Sequence, residues 1–242
     1  MIGELARRMP PLVAATIVLV LVPLVTHDYV LHIAIQILLW GFVNTAWSLM
    51  GRFGLVSLGH GAFLGIGAYV PPLLWNYFGL TPWLGIPAGI ALAVVTALVI
   101  GYPCFRLRVI GHYFALVTLA LSQVAFLIIV AARGVTGGSL GMTPRAVGHS
   151  WYALQFPEKI YFYGIALLVW ALGIAVWHIV DIGMGRAALE AIAEDEGAAA
   201  AIGIDVMREK LRVTIISAAL TAMGGGLLAQ YFMYVNPDTL SG

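Results

Sequence analysis

The chain has 242 residues, 62% of them hydrophobic and 10% charged, with a formal net charge of +1 and a mean hydropathy of +0.98. A soluble domain carries about 25% charged residues, so this chain lacks the polar surface to cover a globule in water and reads as a membrane protein. The near-neutral balance leaves no electrostatic footprint for nucleic acid, and the single Cys104 excludes a disulfide framework and a thiolate metal cluster, so no cofactor or metal is expected.

A helix needs about 20 residues to cross a hydrocarbon core of about 30 Å. Stretches free of charge predict spans near residues 9–27, 29–51, 110–132, 160–180 and 213–235. The uncharged run from Phe53 to Phe105 holds two more, near 54–76 and 83–105, separated by the turn composition of Asn76, Gly79, Thr81 and Pro82. The expected fold is an all-α polytopic transmembrane helical bundle of about seven spans, one domain over 1–242. The first span opens on Arg7 and Arg8 as a signal peptide would, but Pro23 leads into His27-Asp28-Tyr29 with no small-residue cleavage site, so it reads as retained. A cytoplasmic N-terminus puts Arg7, Arg8, Arg52, Arg106, Arg108, Arg186, Arg208, Lys210 and Arg212 inside and only Arg133, Arg145 and Lys159 outside. That bias of nine to three sets the orientation.

In the second span His32, Gln36, Trp40, Asn44 and Ser48 recur every four residues, a row that faces protein or water. It serves either as hydrogen-bonding glue between helices or, through Gln36 and Asn44, as the lining of a path. The third span opens Ser57-Leu58-Gly59-His60-Gly61 and continues through Gly65 and Gly67, with glycine on both faces. Each glycine costs about 1 kcal/mol of helix propensity, so this segment is expected either to pack closely against a neighbour or to be broken, with freed N–H groups facing a substrate carboxylate. Thr136-Gly137-Gly138-Ser139-Leu140-Gly141 has the glycine of a phosphate loop without its Gly-Lys-Ser/Thr, so it is not one.

Eleven of the 23 charged residues lie between Asp181 and Arg212, four positive and seven negative. Within this connection, Arg186 to Ile202 is rich in Ala, Leu and Glu and stopped by Gly203, which predicts one helix with an apolar side of Leu189, Ile192, Ala193 and Ala199 interrupted by Glu196. A helix made for the anionic cytoplasmic leaflet would be basic; this one is acidic and reads as a surface for a protein partner. The seventh span repeats the glycine theme with Ser217, Thr221, Gly224-Gly225-Gly226 and Gln230. None of the spans holds Asp, Glu, Lys or Arg, so no obvious group for ion coupling is evident, and only the in-span His32, His60 and His178 leave a proton relay open.

Four segments carry a resemblance. Gly54 through Tyr69 with its Gly59-His60-Gly61 core, Tyr113 to Ala120, and Thr136-Gly137-Gly138 followed by Gly185-Arg186-Ala187 through Glu194-Asp195-Glu196 and Ala198 to Ile204 are similar to the LivM-type permeases of branched-chain amino-acid ABC transporters, over about four-fifths of the chain. The resemblance implies an inner-membrane permease subunit that is not an enzyme, with ATP hydrolysed on two separate ATP-binding subunits, a second permease subunit, and a periplasmic binding protein delivering leucine, isoleucine or valine. It makes residues 181–212 the coupling segment, with Arg186, Glu194, Asp195, Glu196, Ala198, Ala199 and Gly203 as ATPase-coupling residues. The candidate solute path is Gln36, Asn44, Ser57, Gly59, His60, Gly61, Thr118, Ser217 and Thr221. Glu190 and Ala193 depart from the larger or basic residues usual there, and the family pattern implies further hydrophobic segments after Asn236-Pro237-Asp238. A permease of the same build for urea, short amides or other amino acids stays open, as does a passive channel for small neutral solutes or a membrane scaffold.

Overall fold

The computed structural model describes Leu19, Pro23 and residues 27–109 and 111–240. The span expected at 9–27 lies outside these residues apart from Leu19, Pro23 and His27; Leu19 packs on the core, and its carbonyl accepts a 2.5 Å hydrogen bond from Tyr163. Among the described residues the regular elements are helices, joined by two isolated bridges, Met142 to Val235 and Ser150 to Gln155.

Eight helices carry the architecture: α1 (Asp28–Gly51), α2 (His60–Phe78), α3 (Pro82–Arg106), α4 (His112–Ala131), α5 (Lys159–Ile182), α6 (Met184–Glu194), α7 (Glu196–Ala201) and α8 (Val206–Phe232). Of these, α1, α3, α4, α5 and α8 are long and apolar enough to cross a bilayer. Three expectations need correction. The third span does not begin near 54: residues 55–59 are not helical, and α2 starts at His60 because the glycines before it favour an open backbone. The last span starts at Val206, so the charged residues 206–212 continue α8 beyond its apolar part, with Asp205 accepting a 3.0 Å N-cap bond from Arg208 N. The third correction is that the single helix expected from Arg186 to Ile202 is two, broken at Asp195.

The centre of the bundle is α8 against α1, α2 and α3. A Cβ on Gly67 would sit 1.9 Å from the Ala222 carbonyl oxygen, and one on Gly225 would sit 2.1 Å from that of Leu64, so the backbones of α2 and α8 touch. In a membrane, where lipid is as apolar as leucine, such close approach is what joins helices. Leu31, Ile35, Leu39, Phe42 and Ala46 of α1 fill the adjoining core with Phe162, Ala166 and Val169 of α5.

The connections collect at opposite ends, as alternating crossings require. At one end Leu49, Met50, Phe53, Cys104, Phe105, Phe114, Leu189 and Val213 form a cluster beneath the basic segments. At the other, residues 137–158 fold over the helix ends. There Trp75 Nε1 donates to the Arg145 carbonyl at 2.8 Å, Asn76 Nδ2 to that of Thr143 at 2.9 Å, and Trp83 Nε1 to that of Trp151 at 2.8 Å. A Cβ on Gly137 (φ +79) would meet the Gly141 carbonyl at 1.9 Å, so the glycine run serves a tight turn.

Candidate functional site

The break before α2 is built into the bundle. From Leu55 to Gly59 burial alternates, with Leu55, Ser57 and Gly59 inward and Val56 and Leu58 outward, the period of extended chain. Irregular backbone at membrane depth persists only where protein or water satisfies it. Here α1 and α4 do so: Trp47 Nε1 donates to the Ser57 carbonyl at 2.9 Å, and Leu58 N–H to Thr118 Oγ1 at 3.1 Å. Gly59 N–H reaches Ser57 Oγ at 3.3 Å, and a Cβ at Gly59 would lie 2.3 Å from the Thr118 carbonyl oxygen. Glycine is therefore required at 59 by close approach. The expected carboxylate site is narrowed by this, since the N–H groups of Leu58 and Gly59 are engaged by hydroxyls, and only the first turn of α2 remains without a side-chain cap.

His60 closes the site from above. Ser217 Oγ donates to the Ala46 carbonyl at 2.6 Å, which uses its only proton, so the 2.8 Å contact between Ser217 and His60 Nε2 has the imidazole as donor. His60 Nδ1 is then an acceptor, buried with no hydrogen-bond partner among the described residues. One turn further along α8, Thr221 is 0% exposed and its hydroxyl is likewise unpartnered. At 1.5 Å per residue, Ser217 lies about 7 Å past Arg212, the last charged residue of α8, and Thr118 about 9 Å along α4, so the cluster lies inside the apolar length of both helices, towards the basic end.

Of the nine path residues, Ser57, Gly59, His60, Thr118 and Ser217 come together, with Thr221 adjoining along α8. Gly61 instead faces α4 across a small gap shared with Ser122 and Phe126. Gln36 is apart, its amide 2.7 Å from His32 Nε2, and His32 Nδ1 bonds the Tyr231 hydroxyl of α8. That part of the α1 row is helix-to-helix glue. Asn44 is exposed on the face of α1 that also carries Ile37, Trp40 and Trp47. Trp40 borders a cavity of about 380 Å³ shared with Leu64, Ala68, Gly225, Leu228 and Phe232. Sequence reasoning missed Trp47 and the Ala46 carbonyl, which close the break from α1; a Trp one turn past Asn44 carried no distinguishing signal.

The charged connection forms a second site at the basic end. Arg52 at the end of α1 pairs with Asp181 of α5 at 2.9 Å and lies 4.4 Å over the Trp177 ring, while Arg186 reaches Asp181 at 3.3 Å and Glu190 at 2.7 Å. The hydrogen bond to Glu190, then the charge of Asp181, holds the exposed Arg186 guanidinium above its ordinary pKa. Leu189 and Ile192 are buried beneath α6 as the apolar side requires, but Ala193 is exposed. At Asp195 the backbone turns extended (φ −155, ψ 111) and its carboxylate accepts from Gly197 N–H at 2.7 Å and Ala198 N–H at 2.9 Å, capping α7. An aspartate that competes for backbone donors breaks a helix and starts the next. Gly203 (φ +93) ends α7, as its sequence position implied. Arg186, Glu194, Asp195, Ala198 and Gly203 are exposed, with Ile202 77% exposed beside them. Ala199 and Glu196 turn inward, Glu196 to the ammonium of Lys210.

Residues 29–242 match the family model described as "Branched-chain amino acid transport system / permease component". The chain is 32% identical over 216 residues to the high-affinity branched-chain amino acid transport system permease protein LivM of Escherichia coli, which covers 80% of this chain and 50% of the relative. The Salmonella typhimurium LivM is 31% identical over the same shares. The permease LivH of the same transport system name in Escherichia coli is 29% identical over 203 residues, 77% of this chain and 65% of the relative. The chain thus spans about half the length of the LivM relatives it matches. No solved structure matches it. The family match extends over residues 29–242, so the chain belongs to the family of branched-chain amino acid transport permease components.

Proposed function

We propose that this chain is the membrane-spanning part of an ATP-driven importer that passes leucine, isoleucine or valine inward across the bacterial inner membrane. ATP is hydrolysed on two separate subunits, a second permease chain completes the membrane unit, and a periplasmic binding protein delivers the solute. The basic end, with residues 181–212, faces the cytoplasm, a reading supported by the distribution of Lys and Arg. The reading is carried by one observation: residues 55–59 stay non-helical between apolar helices, held by Trp47 and Thr118, beside unpartnered His60 Nδ1 and Thr221 Oγ1, with Ser217 bonded to the adjoining His60. Transporters place such interruptions where solute passes. Ser57, Gly59, His60, Thr118, Ser217 and Thr221 act at this passage, while Gly61 borders the gap beside α4 and Gln36 and Asn44 stand apart from it on α1. Arg186, Glu194, Asp195, Ala198 and Gly203 present the docking face to the ATPase, while Glu196 and Ala199 seat that face on the membrane domain. Similarity to both LivM and LivH supports a paired permease.

The test is uptake by the full-length gene product with its partner subunits in proteoliposomes. The expected result is leucine, isoleucine and valine accumulation that requires ATP and the binding protein, with urea and short amides excluded. Equilibration of a neutral solute by the permease alone, without ATP, would establish a passive channel instead.

A further inference from the structure

Lys210 stands in the second turn of α8 and is 4% exposed. Its ammonium meets the Glu196 carboxylate of α7 and lies 5.8 Å from the Phe105 ring centroid at the end of α3. A buried lysine almost always has a partner, because an isolated ammonium in a low-dielectric site is strongly disfavoured. The pair therefore ties α7 to α8, and removing Glu196 would leave the buried ammonium unpaired; α7 has little else to hold it, since Ala199 is its one buried residue. From Lys210 a single face of α8 runs on through Thr214, Ser217 and Thr221, spaced by four, three and four, all 4% exposed or less. Thr214 donates to the Lys210 carbonyl at 2.7 Å, and Ser217 reaches Ala46 and His60. One stiff helix thus joins the anchor of α7 to the broken backbone, about 10 Å from Lys210 to Ser217.

We propose that the Glu196–Lys210 pair couples the cytoplasmic segment to the passage: it makes α7 and α8 move as one body, so that displacement of α7 by an ATPase subunit is delivered through α8 to Ser217, His60 and residues 55–59. Both are positioning residues that touch no solute. The proposal rests on the reading of residues 181–212 as the ATPase dock, and it moves Glu196 from the contact face to the lever behind it.

The experiment measures leucine taken up per ATP hydrolysed by the complete complex in proteoliposomes, with the amount of ATPase co-purifying as the readout of assembly. Glu196→Gln keeps a hydrogen bond and removes the charge; assembly and ATP hydrolysis persist while uptake per ATP falls about tenfold. The swap Glu196→Lys with Lys210→Glu returns the ratio to within about twofold of the unaltered complex, as does Lys210→Arg, which keeps the cation. An unchanged ratio in Glu196→Gln overturns the proposal, and so does loss of uptake in proportion to loss of assembled ATPase, which would mark the pair as structural only. If the unaltered complex takes up no leucine with ATP, the importer reading itself fails; if it does and the Glu196→Gln ratio is normal, only the lever fails.

Discussion

Helices α4 and α8 are both long and apolar enough to cross the membrane, and they are buried in opposite degrees. Three of the 20 residues of α4 are buried, Phe114, Thr118 and Ser122, against 15 of the 27 in α8. Yet α4 is the more apolar sequence, with neither glycine nor proline, while α8 carries Thr214, Ser217, Thr221, Gln230 and three consecutive glycines. In water the ranking would be reversed, since apolar area drives burial. In lipid the apolar face of α4 is already solvated by hydrocarbon, and helices associate through close backbone approach and hydrogen bonds. Small and hydroxyl residues therefore mark the centre of this protein, and hydrophobicity marks its periphery.

The largest effect that would break this contrast is at the α2–α8 contact. With a Cβ at Gly67 placed 1.9 Å from the Ala222 carbonyl oxygen, neither backbone can yield without separating the helices. Gly67→Val is expected to cost about 3 kcal/mol or more and to collapse the folded fraction in a denaturing-detergent titration. A midpoint equal to that of the unaltered protein would mean that the two helices do not touch there. A smaller loss is expected at Ser217→Ala, which leaves the Ala46 carbonyl and His60 Nε2 without their shared hydroxyl. The cost of two buried groups losing a partner is about 2 kcal/mol in the same titration.

Much of this was legible in the sequence. Charge-free runs placed the helices at 28–51, 82–106, 112–131 and 159–182 within two residues at each end, because lipid-exposed helices announce themselves by composition alone. The run of glycines at 59–67 marked the break and the close approach together, but not which glycine does which: Gly59 and Gly67 touch backbone, whereas Gly61 borders a gap. That distinction depends on the neighbouring helix, about which local sequence is silent. The helical composition around Asp195 hid the break there, since its side chain caps the second helix only once Gly197 and Ala198 have turned towards it. Lys210 went unremarked as one of several charges in 181–212, although its spacing of seven from Ser217 put both on one face.

At Asp195 the prediction is about the smaller, charged unit at the basic end. Asp195→Ala removes the acceptor of two N–H groups at the start of α7 and is expected to cost about 1 kcal/mol of local stability. Amide exchange at Gly197 and Ala198 should quicken about fivefold, with exchange in α8 unchanged. Equal acceleration in α8 would show that the two units open together even without an ATPase.

The smallest effect is the sharpest check on the periphery. Leu127 of α4 is 60% exposed, and Leu228 of α8 is 6% exposed beside the cavity bordered by Trp40. In a soluble protein Leu→Ala costs about 2–5 kcal/mol only where the side chain is buried. If lipid solvates α4 as argued, Leu127→Ala shifts unfolding in micelles by no more than about 0.5 kcal/mol, while Leu228→Ala costs about 2 kcal/mol. The same pair of substitutions compared in the assembled transporter then maps neighbours directly. A cost at Leu127 that appears only after assembly assigns the outer face of α4 to a partner chain. A cost already present in the isolated chain would mean that α4 is packed against protein, and that the contrast with α8 is one of partners and not of solvent.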